Sequence, residues 1–163
     1  MSSGATGEIR RSIYIAASPA TVFTLLTDPA RMKTWLAEIV EADVRPSGVF
    51  RISEPSGTTI EGTYVEILQD RRIVFTWGGI MGLVAGQTTV EITLEPQGQG
   101  TLVKLRQFGL PKSAIEPHDS GWAYSALPKL RDAAEGRDPG GLCLGDLVHQ
   151  TKPARAANGR SRS

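Results

Sequence analysis

Between residues 38 and 108 the chain is one alternating run after another, each joined to the next by a turn and none by a helix. The runs span 39–44, 49–53, 58–68, 72–77, 88–94 and 101–108. Turn residues separate most of them: Pro46-Ser47-Gly48, Pro55-Ser56-Gly57, Gln69-Asp70-Arg71 and the stretch from Pro96 to Gly100. Parallel strands need a crossover of a dozen or more residues, usually helical. Short turns between alternating runs therefore dictate an antiparallel meander. Parity assigns the faces. Ile73, Phe75 and Trp77 share one side of their run, Thr88, Val90, Ile92 and Leu94 another, and Thr101, Val103, Leu105 and Gln107 a third. Those rows are expected to face inward.

The flanks of the meander read differently. Residues 8–15 alternate with Ile9, Ile13 and Ile15 in phase and form a first strand. Ser18-Pro19 is an N-cap followed by proline at the first helical position, and Asp28-Pro29 repeats the signal. Two short helices are expected there, the second running to about Trp35. Residues 116–135 predict one long helix with Trp122, Ala126, Leu130 and Ala133 in a stripe, kinked at Pro128 and stopped by Gly136. The expected organisation is a flexible N-terminus over 1–7, one domain over 8–136, and a mostly disordered basic tail over 137–163 that adds little to stability. The fold class is α+β, a curved antiparallel sheet gripping a long C-terminal helix.

Charge and composition exclude more than they assign. A net charge of +1 and a single cysteine, Cys143, give no reason to expect a nucleic-acid partner, a disulfide or a zinc site. No apolar run is long enough to span a bilayer, so a cytoplasmic location is the expectation. Lys152, Arg155, Arg160 and Arg162 make the last residues basic.

Ile13-Tyr14-Ile15-Ala16-Ala17-Ser18-Pro19 with Val22-Phe23, then Leu26-Thr27-Asp28-Pro29 and Trp35, resembles the opening of the activator of heat-shock protein 90 ATPase homologue family. Gly62-Thr63-Tyr64, Ile73-Val74-Phe75-Thr76-Trp77, Gly100-Thr101 and His118-Asp119-Ser120-Gly121-Trp122 extend the resemblance over residues 8–135. It implies the helix-grip fold of the superfamily that holds START lipid-transfer domains, pollen-allergen-like proteins and polyketide cyclases (SRPBCC). Most members bind small molecules or have no known activity, and a minority are enzymes. The resemblance also implies histidine where Gln107 stands, and an amide cannot transfer protons near neutral pH.

Candidate ligand-binding residues are Trp35, Phe50, Tyr64, Phe75, Trp77, Thr88, Val90, Val103, Leu105, Gln107, Trp122, Ala126 and Leu130. Apolar walls with a few placed polar groups suit a small hydrophobic or aromatic molecule, and the same aromatic rings also suit a filled core. Alanines on the helix stripe leave that face thin, which favours a cavity. His118 and Asp119 read as exposed first-turn residues, Asp119 complementing the helix dipole. Cys143 reads as a surface residue of the tail. The loop 78–86, apolar and glycine-rich, is expected to form a lid, to make a homodimer contact, or to tuck into the core. No catalytic constellation and no cofactor are expected. The functional expectation is binding of a small hydrophobic molecule, the alternatives being a cyclase- or aromatase-like enzyme and a chaperone or protein-interaction module.

Overall fold

The computed structural model describes residues 6–149. Seven strands form one antiparallel sheet: β1 (Gly7–Ile15), β2 (Ile39–Ala42), β3 (Val49–Ser53), β4 (Thr59–Leu68), β5 (Arg72–Trp77), β6 (Thr88–Gln97) and β7 (Gly100–Leu110). Their spatial order is β1-β7-β6-β5-β4-β3-β2. The meander holds as the turns dictate, and β1 closes onto β7 with Ile9 opposite Gln107 and Ile15 opposite Thr101. The chain crosses from β1 to the far edge through α1 (Pro19–Thr27) and α2 (Pro29–Met32). Ser18 and Asp28 cap these helices as expected, accepting from Thr21 N and Ala30 N. The second helix ends at Met32, short of Trp35, and tight turns carry Trp35 and Leu36 into the core instead.

The sheet curves because β4 changes partner along its length. Residues 59–63 pair with β3 and residues 64–68 with β5, with a register shift between Tyr64 and Glu66. Gly62 sits at the change. A Cβ there would lie 1.9 Å from Thr76 O, so no other residue lets the backbones approach so closely. Thr63 N donates to Thr76 Oγ1 at 2.8 Å beside it.

The long helix starts four residues before the expected Glu116. It runs as α3 (Lys112–Gly121), a π turn (Trp122–Ala126) and α4 (Leu127–Ala134). Pro117, a residue that ordinarily marks a helix start, is interior to α3. The perturbation expected at Pro128 takes the form of the π turn just before it. Leu127 N bonds to Trp122 O five residues back, a widened turn that meets the proline's missing donor. Glu135 holds the helix end to the sheet by accepting from Ala16 N at 2.7 Å.

The boundary expected at Gly136 falls inside the packed body. A further helix, α5 (Cys143–His149), follows, with Cys143 and Leu144 buried in the same core cluster as the sheet. Cys143 is therefore a core residue and not a surface one. The brief apolar stretch Leu142, Leu144, Leu147 and Val148 offers no sustained hydrophobic face in the sequence, yet two backbone anchors fix its start: Cys143 N to Trp35 O and Leu144 N to Leu36 O, both 2.8 Å. The disorder expected over 150–163 and over the first residues lies outside the described residues, and Gly7 itself belongs to β1.

Candidate functional site

All thirteen candidate residues lie on the inner side, each no more than 6% exposed. Phe50, Phe75, Trp77 and Trp122 form a continuous aromatic wall, with ring centroids 4.5 Å apart for Phe50 and Phe75 and 5.2 Å for Trp77 and Trp122. Trp35 joins it from beyond α2, its Nε1 donating to Leu25 O at 2.9 Å. Between wall and helix the described residues enclose two small voids and not the expected open cavity. A void of about 20 Å³ lies among Trp35, Phe50, Phe75, Trp77 and Trp122, and another of about 10 Å³ adjoins Trp77, Trp122 and Ala126. Each is about the size of one water, because the three tryptophans fill the space that the helix alanines leave. Val90, Val103, Leu105 and Leu130 are packed core and line neither void.

Gln107, Thr88 and His118 form a relay across the interior with the indoles of Trp77 and Trp122. Trp122 Nε1 donates to Gln107 Oε1 at 2.7 Å, Gln107 Nε2 to Thr88 Oγ1 at 2.9 Å, and Thr88 Oγ1 to Trp77 O at 2.8 Å. Trp77 Nε1 donates in turn to His118 Nε2 at 3.2 Å, and His118 Nδ1 lies 3.0 Å from Ala114 O. This arrangement requires a neutral imidazole with its proton on Nδ1, and burial lowers the His118 pKa in agreement. His118 is thus a buried member of the site and not an exposed first-turn residue. The expected start at Glu116 concealed it, since Ala114 joins His118, Gly121 and Trp122 on one face only once the helix reaches back to Lys112. Asp119 likewise is no first-turn charge. It receives two hydrogen bonds from Arg11, at 2.7 and 2.8 Å, tying α3 to the edge strand.

The Tyr64 hydroxyl stands outside the relay. Tyr64 Oη is buried with no hydrogen-bond partner among the described residues, against Phe50 and Phe75 at centroid distances of 5.9 and 6.1 Å. Burial raises its pKa. Thr101 is spoken for, donating to Ala17 O at 2.7 Å.

α5 covers the seam between the Trp35-Leu36 turn and the long helix. Leu147 rests on Gly121, where a Cβ would come within 2.6 Å of Leu147 Cδ2. Asp146 accepts from Ser125 Oγ at 2.8 Å and lies 3.4 Å from Lys129 Nζ. Burial pushes the Cys143 thiol up to about 12, so it is inert where it sits. The 78–86 loop tucks inward at Leu83 and Ile80 and leaves Val84 outside. Among the described residues no group of three or more His, Cys, Asp and Glu is placed to hold a metal, and no helix is long and apolar enough to cross a membrane.

The family described as Activator of Hsp90 ATPase homolog 1-like protein matches residues 16–135. The solution structure of an AHSA1-like protein from Rhizobium etli is similar at 30% identity and a TM-score of 0.68, over 94% of this chain and 95% of that one. A crystal structure of a protein from Chromobacterium violaceum shares 28% identity with a TM-score of 0.65, over 78% and 96% of the two chains. The Aha1 dimer from Colwellia psychrerythraea shares the fold at 19% identity and a TM-score of 0.69, over 79% of this chain and 96% of that one. No curated protein matches the chain.

Proposed function

The chain belongs to the Activator of Hsp90 ATPase homolog 1-like family, and from that premise we propose that it binds a small apolar aromatic molecule between sheet and long helix without transforming it. The observation that carries this is Tyr64 Oη, an unpaired hydroxyl within an aromatic wall. A buried hydroxyl without a partner costs about 1–3 kcal/mol, and a ligand acceptor laid against Phe50 and Phe75 would recover it. Trp35, Phe50, Phe75, Trp77, Trp122 and Ala126 supply the rest, with Gln107 and Thr88 fixing the wall from behind. Small-molecule sites occupy about 300 Å³ or more, so the present packing is the closed form and a ligand enters by parting it.

Catalysis is disfavoured by the same groups. Both ring nitrogens of His118 are engaged, Tyr64 is harder to ionise than in water, and Gln107 does not titrate. A protein-interaction role and a homodimer contact would have to use the outer surface, where Val84 at the loop tip is exposed. A reducing cytoplasm suits the free thiol of Cys143.

The test is titration with N-phenylnaphthylamine, an uncharged fluorescent aromatic. Binding at roughly micromolar Kd, about −8 kcal/mol, is expected. Ala126→Leu, which adds bulk at the smaller void, should weaken it at least tenfold while circular dichroism shows the fold retained. Phenylalanine at this position would overpack a core this full. Undiminished binding by Ala126→Leu would place the probe elsewhere, and absence of binding by wild type would overturn the reading.

A further inference from the structure

We propose that α5 is a displaceable cover over the binding space, and that an uncharged, flat aromatic molecule enters by lifting it and lies against Trp77 and Trp122, which line both voids, reaching inward toward Phe50 and Phe75. This rests on the ligand-binding reading above and names its entrance. The smaller void has its floor on the body, at Trp77, His118, Gly121, Trp122 and Ala126, and its roof on α5, at Cys143 and Leu147. With α5 lifted, two indole rings and one imidazole line a slot whose other members are a glycine and an alanine. Such walls accept a planar ring system by stacking and offer no charge to recognise an ion.

The attachment of α5 is suited to release. It follows Pro139-Gly140-Gly141, where both glycines take left-handed backbone angles, φ 78° and 128°, that other residues rarely adopt. Among the described residues its polar ties to the body include the two backbone bonds to Trp35 O and Leu36 O, the Asp146 contacts with Ser125 and Lys129, the hydrogen bond between Cys143 and Ser125, and the bond from Lys129 Nζ to Pro139 O at 3.0 Å. None belongs to the sheet ladder, so α5 can detach without unpairing a strand. The matched family region ends at residue 135, before α5.

Cys143 is the only cysteine of the chain and lies on the covered side, so it reports opening in the intact protein. Alkylation of the full chain by iodoacetamide is measured against urea concentration. If α5 lifts alone, labelling in low urea depends weakly on urea and runs about tenfold or more above the rate set by global unfolding. Saturating N-phenylnaphthylamine should then accelerate labelling, since the bound probe holds α5 away. Asp146→Asn weakens the outer tie, and Gly121→Ala sets a methyl against Leu147. Both should raise the labelling rate, and Asp146→Asn, which leaves the floor of the slot unaltered, should raise the probe affinity with it. Labelling that follows the global unfolding slope throughout overturns the cover and leaves the ligand reading standing. Local labelling with no probe binding in any variant overturns the ligand reading. Probe binding that leaves local labelling unchanged or slows it overturns entry beneath α5.

Discussion

His118 shows how one buried side chain sets a pH dependence. Around it stand Trp77 from β5, Ala114, Gly121 and Trp122 from its own helix, and Cys143 and Leu147 from α5, with no carboxylate among the groups that contact it. Protonation would turn Nε2 into a donor facing the Trp77 N–H. Its native pKa lies below the value of 6.5 for a free imidazole. As pH falls through that value the unfolded chain takes up a proton that the native state refuses. Stability is therefore greatest above it and declines on acidification until the native pKa is passed. Glu8, Asp119, Asp132 and Glu135, whose pKa values are also lowered, lose their contributions only at more acidic pH, below 4.5. The melting temperature should fall between about pH 7.5 and about pH 5.5 in wild type and fall less in His118→Gln, which keeps an acceptor for Trp77. Equal slopes would remove His118 as the cause.

Among the elements, the long helix and α5 should respond differently to loss of a buried side chain. Trp122 stands at the π turn, fills the gap beside both voids and donates to Gln107. Trp122→Ala should cost about 3–5 kcal/mol, a fall of roughly 10 °C in Tm, and a melt within a degree or two of wild type would mean that the sheet does not grip this helix. Leu144 is equally buried, and an ordinary buried leucine costs about 2–5 kcal/mol when cut to alanine. Leu144→Ala should cost less than that range, because an α5 without its anchor can detach and leave the strands paired. A full-sized loss would show α5 to be welded to the body. From the sequence, truncation after Gly136 is expected to leave the melting temperature nearly unchanged. Burial of Cys143 and Leu144 makes α5 a measurable contributor.

For the whole molecule the open meander predicts a gradient of protection. β5, β6 and β7 have partners on both sides, whereas β2 is a four-residue edge. Amide exchange should be slowest in β6 and β7 and faster in β2 and α5. Protection of β2 equal to that of β6 would contradict the gradient. The sheet, its strand faces, both helix caps and the inward aromatic set were legible in the sequence, because period-two alternation and cap-proline pairs are local signals. The position of Gln107 on the inner row was legible too, but not its bonds to Trp122 and Thr88, which join residues 15 and 19 positions away. Only the tertiary structure decided that the interior is closed, since three tryptophans from separate elements fill a space that each element's own pattern leaves open. It alone placed His118 inside, through a helix start masked by Pro117, and seated α5 with carbonyls of Trp35 and Leu36 more than a hundred residues earlier. Periodicity reads one element at a time, while volume and hydrogen-bond partners are settled between elements.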